Sequence, residues 1–151
     1  MNIFNAVVCV PETIGGSVLT DIFNQDLAPG ERHSICRNAH LTSALAAAVL
    51  VASVAGAVLG VAVCIGGSAA AVLAVPEILV SIPLAYLTYN GYCLFDNIGR
   101  IAEDPGCCRT VLSGDISRAN LRRELSRGMI ACDWLAHIIV DKAIENGRIA
   151  L

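Results

Sequence analysis

The chain has 151 residues, 56% hydrophobic and 15% charged, with a formal net charge of −3 and a mean hydropathy of +0.67. Soluble domains carry about 25% charged and about 45–50% apolar residues, so this is not the balance of an ordinary water-soluble globule. A net acidic chain with only ten basic side chains gives nucleic acid no electrostatic footprint, and none is expected as a partner.

The excess of apolar residues is concentrated. Of the 23 charged residues, 22 lie outside the 55-residue stretch from Leu41 to Phe95, whose one charge is Glu77. Three regions follow: a head at 1–40, a transmembrane helical hairpin at 41–95 and a helical cytosolic tail at 96–151. The hairpin divides into 41–65, a turn at 66–68 and 69–94. The expected fold class is all-α, with a two-helix transmembrane hairpin, an amphipathic C-terminal tail and a short N-terminal helix. Neither flanking region is long enough for a comfortable core of its own, and the head is expected to be loosely ordered.

In the head, residues 1–16 read as irregular. The early apolar run Ala6–Val10 is five residues long and the first positive charge is Arg32, so no secretory signal is read there. Leu19, Ile22, Phe23 and Leu27 repeat at helical spacing, with Ser17 to start the helix and Pro29-Gly30 to end it. Such a helix would lie on the membrane or pack on the tail.

The first lobe, Leu41–Ile65, spans roughly 37 Å as a helix, enough to cross a core of about 30 Å with tilt. Every fourth residue from Ala44 is small: Ala48, Ala52, Gly56, Gly60 and Cys64 follow, with Ser68 beyond. Small residues on one ridge let helix backbones approach closely in lipid. This ridge is expected to pack on the second lobe or on another copy of the chain. Gly66-Gly67-Ser68 then supplies a short uncharged reversal.

The second lobe, Ala69–Leu94, holds Pro76, Glu77 and Pro83. A charge at mid-helix costs about 2.5–3.5 kcal/mol on insertion scales, and each Leu, Ile or Val returns about 0.3–0.6. Nine such residues between Val72 and Leu87 return roughly 4 kcal/mol. The lobe is thus marginal alone and is expected to insert as a partner of the first. Glu77 is the candidate intramembrane polar residue, with a shallow or protein-facing structural role ahead of any ion path. Tyr86, Tyr89 and Tyr92 follow at helical spacing and are expected to anchor the headgroup zone; an aromatic packing stripe is the alternative. Arg32, Arg37, Arg100 and Arg109 flank the lobes and the turn has no Lys or Arg, which places both termini in the cytosol.

In the tail, helix signals run from about Ile116 to Asn146, capped by Gly147, with Gly128 able to divide them. Leu121, Leu125, Cys132, Leu135 and Ile139 form an apolar stripe that Trp134 and Ile138 broaden. That stripe needs the hairpin, the head helix, lipid or another protein to cover it. Arg118, Arg122, Arg123 and Arg127 either bind anionic headgroups or form a solvated face with Glu124 as local partner. Together with Trp134 they are the expected partner or lipid contacts.

The seven cysteines are odd in number, scattered and without a C-x-x-C pair, so neither a disulfide framework nor a metal site is read. Adjacent Cys107-Cys108 reads as two free thiols or, with Cys93, as a lipidation site beside a membrane segment. His33, His40 and His137 are far apart, and no nucleophile elbow, P-loop or dinucleotide fingerprint is present. No enzyme, cofactor or metal is expected.

The layout of polar head, two close apolar lobes (Leu41–Ile65 and Ala69–Leu94) joined by Gly66-Gly67-Ser68, and helical tail resembles chlamydial inclusion membrane proteins. The resemblance covers roughly a third of the chain and is one of layout. It implies type III export, a pathogen vacuole membrane, termini in host cytosol and a tail that recruits host proteins. The expected function is therefore a non-enzymatic integral membrane protein whose helical tail recruits cytosolic proteins. The alternatives are a small oligomeric pore (holin- or viroporin-like), which would make the chain a homo-oligomer, and a membrane-shaping hairpin. A soluble helical protein that buries the hairpin is a further rival.

Overall fold

A computed structural model describes residues 18–23, 28–67, 71–111 and 114–145. Among these residues all regular elements are helical. They are α1 (Leu19–Phe23), α2 (Pro29–Ile65), α3 (Ala71–Glu103), a 3₁₀ turn (Pro105–Cys108), α4 (Arg118–Leu125) and α5 (Asp133–Glu145). The expectations resting on residues 1–17, Leu27, Ser68, Asn146 and Gly147 lie outside the described residues.

Two helices, α2 and most of α3, are long and apolar enough to cross a membrane. They pack antiparallel, with Gly60 against Ile78, Gly56 against Ser81, His40 against Gly99 and Cys36 against Glu103. Both helices run past the limits drawn from hydropathy. α2 begins at Pro29, twelve residues before Leu41, because proline suits the first position of a helix, where its missing N–H is not needed. Pro29-Gly30 thus opens a helix instead of closing one. Glu31 reaches back to accept from the Ala28 N–H at 3.3 Å. α3 continues through Pro76 and Pro83 and beyond Phe95 to Glu103. Gly67 adopts φ +65° just after α2, a left-handed conformation that glycine takes without strain.

The two ends of the pair differ. Toward the turn the apolar side chains are bare: Ile65 is 83% exposed, Val72 78% and Leu79 67%. Toward the termini the same helices enter a core that every other helix joins. Leu19 and Ile22 come from α1, Cys36 and Ala39 from α2, Leu94, Ile98 and Ile101 from α3. Leu121 and Leu125 of α4 and Ala136, Ile139, Val140 and Ala143 of α5 complete it. The short N-terminal helix is therefore packed into this core. The tail stripe is covered by the chain's own helices: Leu121, Leu125 and Ile139 are fully buried and Cys132 nearly so.

The tail is two helices, divided after Leu125. Ser117 caps α4 by accepting from the Asn120 N–H at 3.4 Å. Gly128 (φ 77°) and Ala131 (φ 51°) turn the backbone between α4 and α5. That connecting loop is held by Asn97 of α3, 4% exposed, which donates to the carbonyls of Leu125 at 3.0 Å and Arg127 at 2.8 Å. Removing a buried partner strands polar groups at about 1–3 kcal/mol each. Asn97→Ala is expected to loosen α4 and α5 by about 2 kcal/mol while the α2–α3 pair stays intact. Hydrogen exchange checks this: protection should fall across 118–145 and hold across 41–65.

Candidate membrane-facing and partner-facing surfaces

The bare part of the helix pair is the first surface. Apart from Glu77 its polar side chains are few, and their hydroxyls bond back along their own helices. Thr42, Ser53 and Thr88 donate to the carbonyls of Asn38, Val49 and Leu84 at 2.9, 2.8 and 2.7 Å. Such back-bonds satisfy hydroxyls without water. The four small residues proposed for packing divide into two pairs. Gly60 is buried and Gly56 half-buried, both facing α3, whereas Ala48 and Ala52 are exposed. A Cβ on Gly60 would lie 2.7 Å from Ile78 Cγ1 and 3.4 Å from the Ala74 carbonyl. The buried face of α2 follows Ala39, Ser43, Ser53 and Gly60, a helical 3–4 spacing that a strict every-fourth ridge drifts away from. Glu77 is exposed, and its Oε1 is 3.4 Å from the place a Gly56 Cβ would take.

The tyrosines sit where the bare surface meets the core. Tyr86 donates to the Ile130 carbonyl at 2.9 Å and Tyr89 to the Gly128 carbonyl at 3.0 Å. Asn90, one turn on, accepts from the Ile130 N–H at 2.9 Å. Together with Asn97 they make a polar row on α3 that receives the α4–α5 loop. Asn90 and Asn97 were not singled out from sequence; the tyrosine spacing was the available signal. Tyr92 is half-buried, with no bond to the loop among those described.

The tail's outer surface carries the arginines. Asp141 of α5 ties two of them: it accepts from Arg118 Nη2 at 2.6 Å and Nε at 3.2 Å, and from Arg122. Glu124 lies 3.5 Å from Arg123 and 3.8 Å from Arg127, both largely exposed. Arg118 and Arg122 thus hold α4 to α5, and Arg123 and Arg127 remain at the surface beside Glu124. Trp134 (49% exposed) and Ile138 lie one turn apart on α5, outside the core. Ile130, 56% exposed, precedes them in the loop that Tyr86 holds. Of the candidate lipidation thiols, Cys93 and Cys108 are buried and Cys107 is exposed. Burial pushes the Cys108 thiol well above its usual range.

One cluster was not read from sequence. Cys36 and His40 share a face of α2, and Glu103 meets them from the end of α3. The i,i+4 spacing of Cys36 and His40 was the legible half of it. Comparison with protein-family models, with curated proteins and with solved structures gives no match.

Gly60→Leu overpacks the α2–α3 seam and should destabilise it by about 1–3 kcal/mol, whereas Ala48→Leu should leave it unchanged; thermal unfolding in detergent micelles compares the two. Asp141 is held below its ordinary 3.8, first by Arg122 and then by Arg118. A carboxyl held low when folded contributes stability above its usual range and loses it as pH falls through the folded value. Lowering the pH from 5 to about 2 should therefore open α4 from α5 in hydrogen exchange, and Asp141→Asn should remove that acid-dependent step.

Proposed function

We propose that the chain is a non-enzymatic integral membrane protein. In this reading α2 and α3 form a transmembrane hairpin with both termini in the cytosol. The folded head at the base of the hairpin is its working part, a surface that recruits cytosolic proteins. The observation that carries the reading is the contrast along one helix pair: bare Val, Leu and Ile side chains toward the turn, a closed core toward the termini. An apolar surface of this extent is not left to water in a soluble monomer.

The exposed stretch of α3 from Val72 to Leu87 is about 24 Å long at helical rise, and that of α2 from Leu41 to Ile65 about 37 Å; these bracket a hydrocarbon core of about 30 Å. Tyr86 and Trp134 then stand at headgroup level, where their amphipathic rings are favoured. Charge favours the same side for the head, since Arg32, Arg37, Arg100 and Arg109 all lie beyond the apolar stretch. The partner-facing surface is the outer side of α4 and α5, with Arg123 and Arg127 as its exposed basic groups, both beside Glu124. The layout shared with chlamydial inclusion membrane proteins supports a vacuole membrane as the site and a host protein as the partner. A second reading, a small oligomeric pore, is favoured by one feature: Glu77 is exposed among apolar residues, where a second copy would shelter it.

Fractionation of expressing cells, with protease access to tags at each end, tests the first reading. The chain should resist carbonate extraction and both tags should be cut from the cytosolic side. A freely soluble monomer, or tags on opposite faces, would overturn it. Dye leakage from liposomes that Glu77→Gln abolishes would transfer support to the pore.

A further inference from the structure

We infer that the base of the helix pair is a binding site for a borderline divalent cation of the zinc class. Its ligands are Cys36 Sγ, His40 Nε2 and Glu103 Oε1. The three donors lie within 4.8 Å of one another. Cys36 Sγ and His40 Nε2 are each 3.4 Å from Glu103 Oε1. Zinc bonds of about 2.0–2.3 Å in a tetrahedron separate neighbouring ligands by about 3.3–3.6 Å, so two edges of the tetrahedron already have the right length. Thiolate, imidazole and carboxylate together suit zinc better than a hard cation such as magnesium or calcium.

The histidine is held for the task. Its ring lies on the backbone of Gly99, where a Cβ would come within 2.8 Å of Cε1. With Nε2 turned to Glu103, Nδ1 faces Asp96 Oδ1 at 3.8 Å. A carboxylate behind the second ring nitrogen is the usual outer partner of a zinc-bound histidine. The fourth position opens on a cavity of about 310 Å³ lined by Pro29, Arg32, His33, Cys36, Ala102 and Glu103. A water molecule would complete the four-coordinate set when the cation is bound.

Without metal, the Cys36 thiol donates to Glu103 Oε1 at 3.4 Å. Binding forms the sulfur–metal bond and releases the thiol proton to solvent, so the cation replaces the proton shared between Cys36 and Glu103. The result is a clamp between the start of α2 and the end of α3, 67 residues apart in sequence. It lies in the head, before Leu41 and after Phe95, and needs no particular account of the membrane.

The test uses the full chain in detergent micelles, reduced and stripped of metal, titrated with cobalt(II). One equivalent should bring up a near-ultraviolet thiolate-to-cobalt band with the intense visible bands of four-coordinate cobalt, and zinc should displace it stoichiometrically. Cys36→Ser should abolish the thiolate band and Cys107→Ser should leave it. Glu103 is 61% exposed by side chain, so Glu103→Gln folds, and it should weaken binding at least tenfold. Asp96→Asn should weaken it by about 10–100-fold with the band retained. Absence of the band in the parent chain, its survival in Cys36→Ser, its loss in Cys107→Ser, or unchanged affinity in Glu103→Gln would each overturn the inference.

Discussion

The register of α2 against α3 governs the rest of the molecule. Two helices of 37 and 33 residues could slide past one another by a turn at little cost if both faces were smooth. Close approaches at opposite ends prevent it. Near the turn, Gly60 leaves room for Ile78; near the termini, Gly99 leaves room for the His40 ring. Each glycine is a hole for a larger side chain on the other helix, which is how ridges and grooves fix a crossing. Because the pair is antiparallel, this register brings Cys36 and Ala39 level with Ile98 to Glu103, and both polar segments of the chain emerge at the same end.

That coincidence supplies the head with a core. Neither the first forty residues nor the last fifty-six carries enough apolar surface to fold independently. Joined through the base of the helix pair, they do: Leu19 and Ile22 from one side, Leu121, Leu125, Ile139 and Val140 from the other, with Ile98 and Ile101 between them. α3 changes character along its length to allow this. Its outer part is bare and apolar, its middle offers Tyr86, Tyr89, Asn90 and Asn97 to the backbone of the α4–α5 loop, and its last turns are core. A loop with two residues at positive φ has carbonyls and N–H groups that no helix can satisfy. This polar row satisfies several of them.

What was legible in sequence follows from which signals are local. Hydropathy located the two apolar lobes, because side-chain polarity is a property of each residue alone. It could not locate the helix ends, since a helix continues through charged residues as readily as through apolar ones, and α2 does so across Arg32 to His40. Pro29-Gly30 is ambiguous for a similar reason: the same dipeptide stops a preceding helix and starts a following one. The tyrosine row was visible, but its partners at Gly128 and Ile130 depend on a loop about forty residues away. Cys36 and His40 stand four residues apart, a spacing that says nothing of Glu103; only the register joins the three, and no metal site was read from the sequence.

Glu77 shows how far the two lobes depend on each other in the membrane reading. Ionised and exposed, it would cancel most of what α3 gains from its own aliphatic residues, about 2.5–3.5 against roughly 4 kcal/mol. α2 carries no charge from Leu41 to Ile65 and would insert on its own account. The α2–α3 seam therefore does more than shape the pair. Each close contact along it, at Gly56 with Ser81 and at Gly60 with Ile78, couples the marginal helix to the secure one, so that α3 would enter lipid with the packing of α2 added to its own hydropathy.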